Sequence, residues 1–168
     1  MRVKGRKPHP ATSVTTLIPT LTSTMATSPT ADLLVPRRFS VEEYYAMAKA
    51  GILDSDERVE LLDGQVIQMS PIGTPHGAHV DALTRQFTLQ AGERWVRIQG
   101  AIQLDNYNQP QPDVALLRER EGGYRDRQPA PQDVLLVVEV SDSTLEKDEK
   151  AKLRLYAQAA IPEVRIFG

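Results

Sequence analysis

Val134-Leu-Leu-Val-Val-Glu-Val140 is a near-continuous apolar run with a single carboxylate, Glu139, set inside it. Runs of this kind belong to central strands buried on both faces. Ser143 followed by Glu146 makes a capping box that opens a helix to about Ala160. Ile161-Pro162 breaks that helix, and Val164 to Phe167 reads as a short final strand. Upstream, Pro112 opens a strand through Leu117, and Arg118 to Gln132 forms a charged loop with Gly122-Gly123. Trp95 to Leu104 reads as another strand, followed by a turn segment from Asn106 to Gln111. His76 to about Gly92 reads as a helix with Val80, Leu83, Phe87 and Ala91 on one face. The order is therefore helix, strand, strand, strand, helix, strand, an α/β (α+β) class with a mixed sheet.

Before this core, Arg58 to Ser70 forms two strand-like runs joined at Asp63-Gly64, the strongest short hairpin signal in the chain. Ser40 and Glu43 make another capping box, with Val41, Tyr44, Tyr45 and Ala48 at helical spacing and Gly51 as the stop. Residues 1–36 read as a disordered tail, rich in Ser, Thr and Pro, with no acidic residue before Asp32. A transit peptide shares that composition, but Pro8, Pro10, Pro19 and Pro29 oppose the amphipathic helix it needs. Met25 is an alternative start. The folded domain is expected from 37 to 168.

The chain has 168 residues, 40% apolar and 25% charged, which suits one soluble globular domain. It contains no cysteine, so disulfides, thiolate zinc sites and cysteine nucleophiles are excluded, in keeping with a cytoplasmic location. No apolar run approaches the roughly 20 residues of a membrane span. Net charge is −2, without the basic excess of a tight nucleic-acid binder. Bound cations can reverse the local field around clustered carboxylates, so phosphate chemistry stays open.

An ionised Glu139 inside an apolar strand costs several kcal/mol unless it is paired or metal-bound. By itself it is compatible with a structural salt bridge or a strand end facing water. Asp113, by itself a common Pro-Asp turn residue, starts a strand that could lie beside that of Glu139. Two carboxylates at one end of a sheet make a suitable Mg²⁺ site, because Mg²⁺ takes few protein ligands and retains water. A lysine would complete a phosphodiesterase set by stabilising the extra charge of the transition state. The second position after Glu139 is Ser141, so the candidates lie in the next helix. With Leu153, Tyr156, Ala157 and Ala160 taken as its buried stripe, Lys150 and Lys152 each fall about 80° from the stripe's centre. Helical geometry alone does not choose between them.

From about Arg37 onward, the chain resembles the Uma2 family of bacterial restriction-endonuclease-like proteins, also known as a domain of unknown function. The matching segments are Val59-Glu-Leu-Leu-Asp-Gly64, Met69-Ser-Pro71 with His76 following, Gln111-Pro-Asp-Val114 and Asp133 to Ser141. Asp148 through Lys152 to Tyr156-Ala157, then Ile161-Pro-Glu163, complete the set. The resemblance implies a restriction endonuclease-like core and a PD-(D/E)xK nuclease site whose lysine has migrated. It implies Asp113 and Glu139 as metal ligands for Mg²⁺ or Mn²⁺, and its Lys-x-x-x-Tyr-Ala pattern selects Lys152. Glu60 and His76 also match family positions. Glu60 could be a further ligand, or a strand-edge charge paired with Arg58 or another base. His76 could donate to a phosphate or position water, or be a helix-start packing residue. Arg118, Arg120, Arg125 and Arg127 could meet phosphates, but Glu119, Glu121 and Asp126 interleave with them as in a solvated loop.

The expected function is hydrolysis of DNA phosphodiester bonds, with nucleic acid as partner and a homodimer as an open assembly. The rivals are an inactive binding or assembly module of the same fold, and a metal-dependent nuclease acting on RNA. The near-neutral charge and the missing lysine at Ser141 favour the inactive module. Family members usually carry more chain after the Ile-Pro-Glu segment, so a truncated C-terminus is part of the expectation.

Overall fold

The Asp63-Gly64 turn shows how local sequence sets this architecture. Asp63 and Gly64 both adopt positive φ (50° and 74°), the pair that a two-residue hairpin turn matched to strand twist requires. They join β1 (Val59–Leu62) to β2 (Gln65–Gln68), paired antiparallel from Val59 with Gln68 to Leu62 with Gln65. A Cβ on Gly64 would lie 2.6 Å from the Arg38 Cβ. Gly64→Ala should therefore destabilise the protein by about 1–3 kcal/mol, read as a lower urea midpoint at unchanged slope.

The computed structural model describes residues 35–54, 56–91, 96–141 and 146–168, for 146–149 the backbone alone. The expected N-terminal tail and alternative start, Gly92, Trp95 and the Ser143 cap lie outside the described residues. Helix α1 (Val41–Lys49) has the expected Ser40–Glu43 capping box, and Gly51 follows its end with φ 72°. Val41 and Tyr44 face a small cluster with Val59 and Leu61, while Tyr45 is half-exposed.

The remaining elements run α2 (Thr74–Ala91), β3 (Val96–Ile98), β4 (Val114–Leu117), β5 (Val134–Val140), α3 (Glu146–Gln158) and β6 (Val164–Phe167). They form a four-stranded sheet in the order β3-β4-β5-β6, antiparallel except for the parallel β5–β6 pair. The fold is thus a mixed arrangement of helices and sheets, as expected. Val80 and Leu83 of α2 pack with Val114, Leu136, Val138 and Val140 on one face. Leu155 and Tyr156 of α3 pack with Ala115, Leu117, Val134 and Val137 on the other. β5 is apolar apart from Glu139 because helices cover both of its faces. A register shift between Leu116 and Leu117 sets Leu117 opposite Val134. That bulge turns Val134 onto the same face as Val137.

Two expectations need correction. The strand read from Trp95 to Leu104 is regular only over Val96–Ile98. Gln99 has φ 45°, a conformation that ends a ladder for a non-glycine residue. The backbone beyond it bonds to the turn segment instead, Ile102 N–H to the Pro110 carbonyl and Leu104 N–H to that of Asn108. The second correction concerns the phase of α3. Ala157 and Ala160 are exposed and Leu153 only partly covered, whereas Lys152, Leu155 and Tyr156 are buried. The stripe therefore runs through 152, 155, 156 and 159. It lies one position before the stripe expected from Leu153, Tyr156, Ala157 and Ala160, because ion pairs with Glu139 and Glu60 let Lys152 face inward.

Candidate active site

Register places the two sequence-predicted carboxylates side by side. Val114 pairs with Val138, so one step along the antiparallel ladder sets Asp113 beside Glu139. Alternation along each strand puts both on the α3 face, with Ala115 and Val137. Asp113 is fixed at both oxygens. Its Oδ2 accepts the Val140 N–H at 2.9 Å, and its Oδ1 lies 2.9 Å from His76 Nε2 and 3.5 Å from Gln99 Nε2. His76, in the first turn of α2, thus holds a carboxylate.

The rotated phase of α3 brings Lys152 to the middle of the buried stripe, facing Glu139. Its Nζ lies 2.9 Å from Glu139 Oε1, 3.4 Å from Glu60 Oε2 and 3.2 Å from the Gln111 carbonyl. All three ammonium hydrogens have acceptors. Lys150 is exposed. Structure therefore separates two lysines that the stripe read from sequence left equivalent. Glu60 Oε2 also accepts the Gln111 N–H at 2.9 Å, so its basic partner is Lys152 rather than Arg58. Tyr156, one turn beyond Lys152, donates its hydroxyl to Glu139 Oε1 at 2.6 Å.

Glu60, Asp113, Glu139 and Lys152 are the buried charged residues among those described, and all four line one cavity of about 110 Å³. His76, Gln111 and Ser141 line it too. Removing charges from water costs several kcal/mol per ion, and the rest of the interior is apolar or neutral. Three buried carboxylates face one buried ammonium there, with Arg58 and His76 as the other basic residues of the lining. Burial pushes the Glu139 carboxyl up, and Lys152 and the Tyr156 hydroxyl oppose that without cancelling it. Burial also works against the Lys152 ammonium, but Glu139 and then Glu60 more than offset it, and its pKa is raised. Burial, with Glu139 beside it, holds Tyr156 well above the ordinary tyrosine value, so it remains a neutral donor.

The arginines of the 118–132 loop do not line this cavity. Arg120 pairs with Asp126, one of the interleaved acids, and Arg127 pairs with Asp133 just beyond the loop at 2.5 Å. Sequence reading gave no role to Tyr156, Gln111 or Gln99. Tyr156 carried the clearest signal, since a tyrosine on a buried helical stripe needs a partner for its hydroxyl.

The hard oxygens of Asp113 and Glu139 are the donor type that Mg²⁺ takes, one or two carboxylates with water completing the shell. Both Tyr156 and Lys152 address Oε1 of Glu139. Among the described residues, no three His, Asp or Glu side chains form a ready-made cage.

The model of the Uma2 family, described as "Putative restriction endonuclease", matches residues 41–167. The chain belongs to the Uma2 family. Nuclease-type function and a nucleic-acid partner follow from that membership at the level of class. The match spans every Uma2-like segment read from the sequence, from Val59 to Glu163, and includes the five sequence-predicted site residues Glu60, His76, Asp113, Glu139 and Lys152, all of which line the cavity. No curated protein matches this Uma2 chain. No helix among its described residues is long and apolar enough to cross a membrane.

Proposed function

We propose that this Uma2 protein is a metal-dependent endonuclease that hydrolyses DNA phosphodiester bonds in the cytoplasm. The observation that carries the reading is the gathering of all buried charges of the described residues at one cavity with a surplus of carboxylate. Asp113 and Glu139 would hold Mg²⁺ or Mn²⁺. The ion would polarise the phosphoryl oxygen and lower the pKa of the attacking water. Water would add across the P–O bond directly, without a covalent enzyme intermediate.

The chain's own residues have distinct tasks. Lys152 stays charged between Glu139 and Glu60, so it would act on the attacking water and the developing phosphoryl charge as a fixed positive charge, and not as a base. Glu60 and the Gln111 carbonyl orient that ammonium. His76 and the Val140 amide orient Asp113, and Tyr156 orients Glu139. Half-exposed Ile166 and Phe167 on the outer strand β6 favour two copies pairing as a homodimer.

Purified protein should cleave DNA only with Mg²⁺ or Mn²⁺ present, and a chelator should stop the reaction until metal is restored. Gel assays with each ion test this. Metal-independent cleavage, or none under any ion, contradicts the reading.

A further inference from the structure

The cavity has a second wall that the hydrolytic residues do not use. It is lined by Ile67, the cross-strand neighbour of Glu60, and by Met69, Pro71 and Ile72, from β2 and the chain leading to α2. Ile72 is 44% exposed there. Apolar side chains bordering a site of buried charge gain nothing from a phosphate or a metal ion. A duplex shows such a site its phosphates and sugars while its bases remain stacked inside. An unstacked base, in contrast, offers an apolar face that packs on such a wall.

Arg58 borders the same cavity. Its Nη1 donates to the Ser70 carbonyl at 3.0 Å, which fixes the guanidinium against the chain carrying the apolar wall. The other two basic residues of the cavity are engaged, Lys152 with Glu139 and Glu60, and His76 with Asp113. Among the described residues, Arg58 is the cavity cation with no carboxylate partner. A guanidinium anchored by one N–H keeps a free edge suited to two phosphate oxygens.

Charge elsewhere points to a short footprint. Arg37, Arg120, Arg127, Arg154 and Arg165 are paired with carboxylates, and the chain's net charge is −2. Long duplex contacts rest on many lysines and arginines neutralising phosphates. One held nucleotide needs only one.

Building on the nuclease reading, we infer that the mouth of this cavity holds one unstacked nucleotide, its phosphate on Arg58 and its base against Ile67, Met69, Pro71 and Ile72. The preferred substrate class is then single-stranded, frayed or end-exposed nucleic acid, in preference to the interior of a stacked duplex.

The test pairs cleavage with binding in the full chain. With Mg²⁺, kcat/KM on a labelled single strand should exceed that on a blunt duplex of the same sequence by about tenfold or more. Arg58→Gln and Ile72→Ser should each raise KM for the single strand about tenfold while changing kcat little. Neither should alter Mn²⁺ affinity or thermal stability, and Arg58→Lys should recover part of the loss. Anisotropy of a short labelled oligothymidylate with Ca²⁺ reads binding without cleavage, and should weaken in the same two variants. Equal cleavage of the duplex interior and the single strand would overturn the inference. So would wild-type oligothymidylate binding in both variants. If the protein cleaves nothing, the nuclease reading fails, and the binding comparison still decides the nucleotide site.

Discussion

Lys152→Ala should lower stability by about 3–5 kcal/mol at neutral pH and abolish cleavage, a large effect for one helix lysine. The ammonium is the only cationic group within ion-pair distance of both Glu60 and Glu139 among the described residues. Its removal leaves two buried carboxylates without the counter-charge that offsets their desolvation. The sign of the pH dependence follows from Glu139, whose carboxyl burial already raises above its ordinary value. A raised carboxyl contributes stability in full below its unfolded pKa, and that contribution is lost as pH rises through the folded pKa. Without Lys152 the carboxyl rises further, so the variant's deficit should grow from acid to neutral pH. Urea unfolding across that range measures it. Lys150→Ala is the control, within about 0.5 kcal/mol of wild type because that residue is exposed.

Asp113→Asn and Glu139→Gln should each reduce metal-dependent cleavage by about a thousandfold or more while the protein stays folded. Both changes keep shape and most hydrogen bonds. In Asp113→Asn the amide oxygen would still accept from the Val140 N–H, as the carboxylate does. In Glu139→Gln the amide oxygen would likewise still accept from Tyr156 and Lys152. What is lost is negative charge and a metal-binding oxygen. Because burial opposes ionisation of Glu139, Glu139→Gln should melt no lower than wild type at neutral pH without metal. Single-turnover rates and thermal melts separate the loss of chemistry from loss of fold. Cleavage at wild-type rate in both variants removes these residues from the mechanism.

How much was legible in advance differs between local and long-range features. The β5 run, the Asp63-Gly64 turn and the Ser40–Glu43 box identified themselves because each is decided within a few residues. Asp113 and Glu139 stood out as carboxylates on apolar strands, and the ladder register then made them neighbours. The phase of α3 misled because an alanine-based stripe competed with a stripe that includes a buried lysine. Only the carboxylates of Glu60 and Glu139, far apart in sequence, make that burial affordable. Likewise, nothing near Trp95 announced the positive φ of Gln99 that ends β3. The bonds from Tyr156 to Glu139 and from His76 to Asp113 span 17 and 37 residues. Short-range patterns carry no information about such pairs.

The most direct measurement of the central claim is calorimetric titration of Mn²⁺ into the wild type and into Asp113→Asn and Glu139→Gln. Saturable binding to the wild type that is abolished in both variants, whose circular dichroism matches wild type, is the predicted result. No binding to the wild type, or equal binding to all three proteins, would contradict Asp113 and Glu139 as the metal-holding pair.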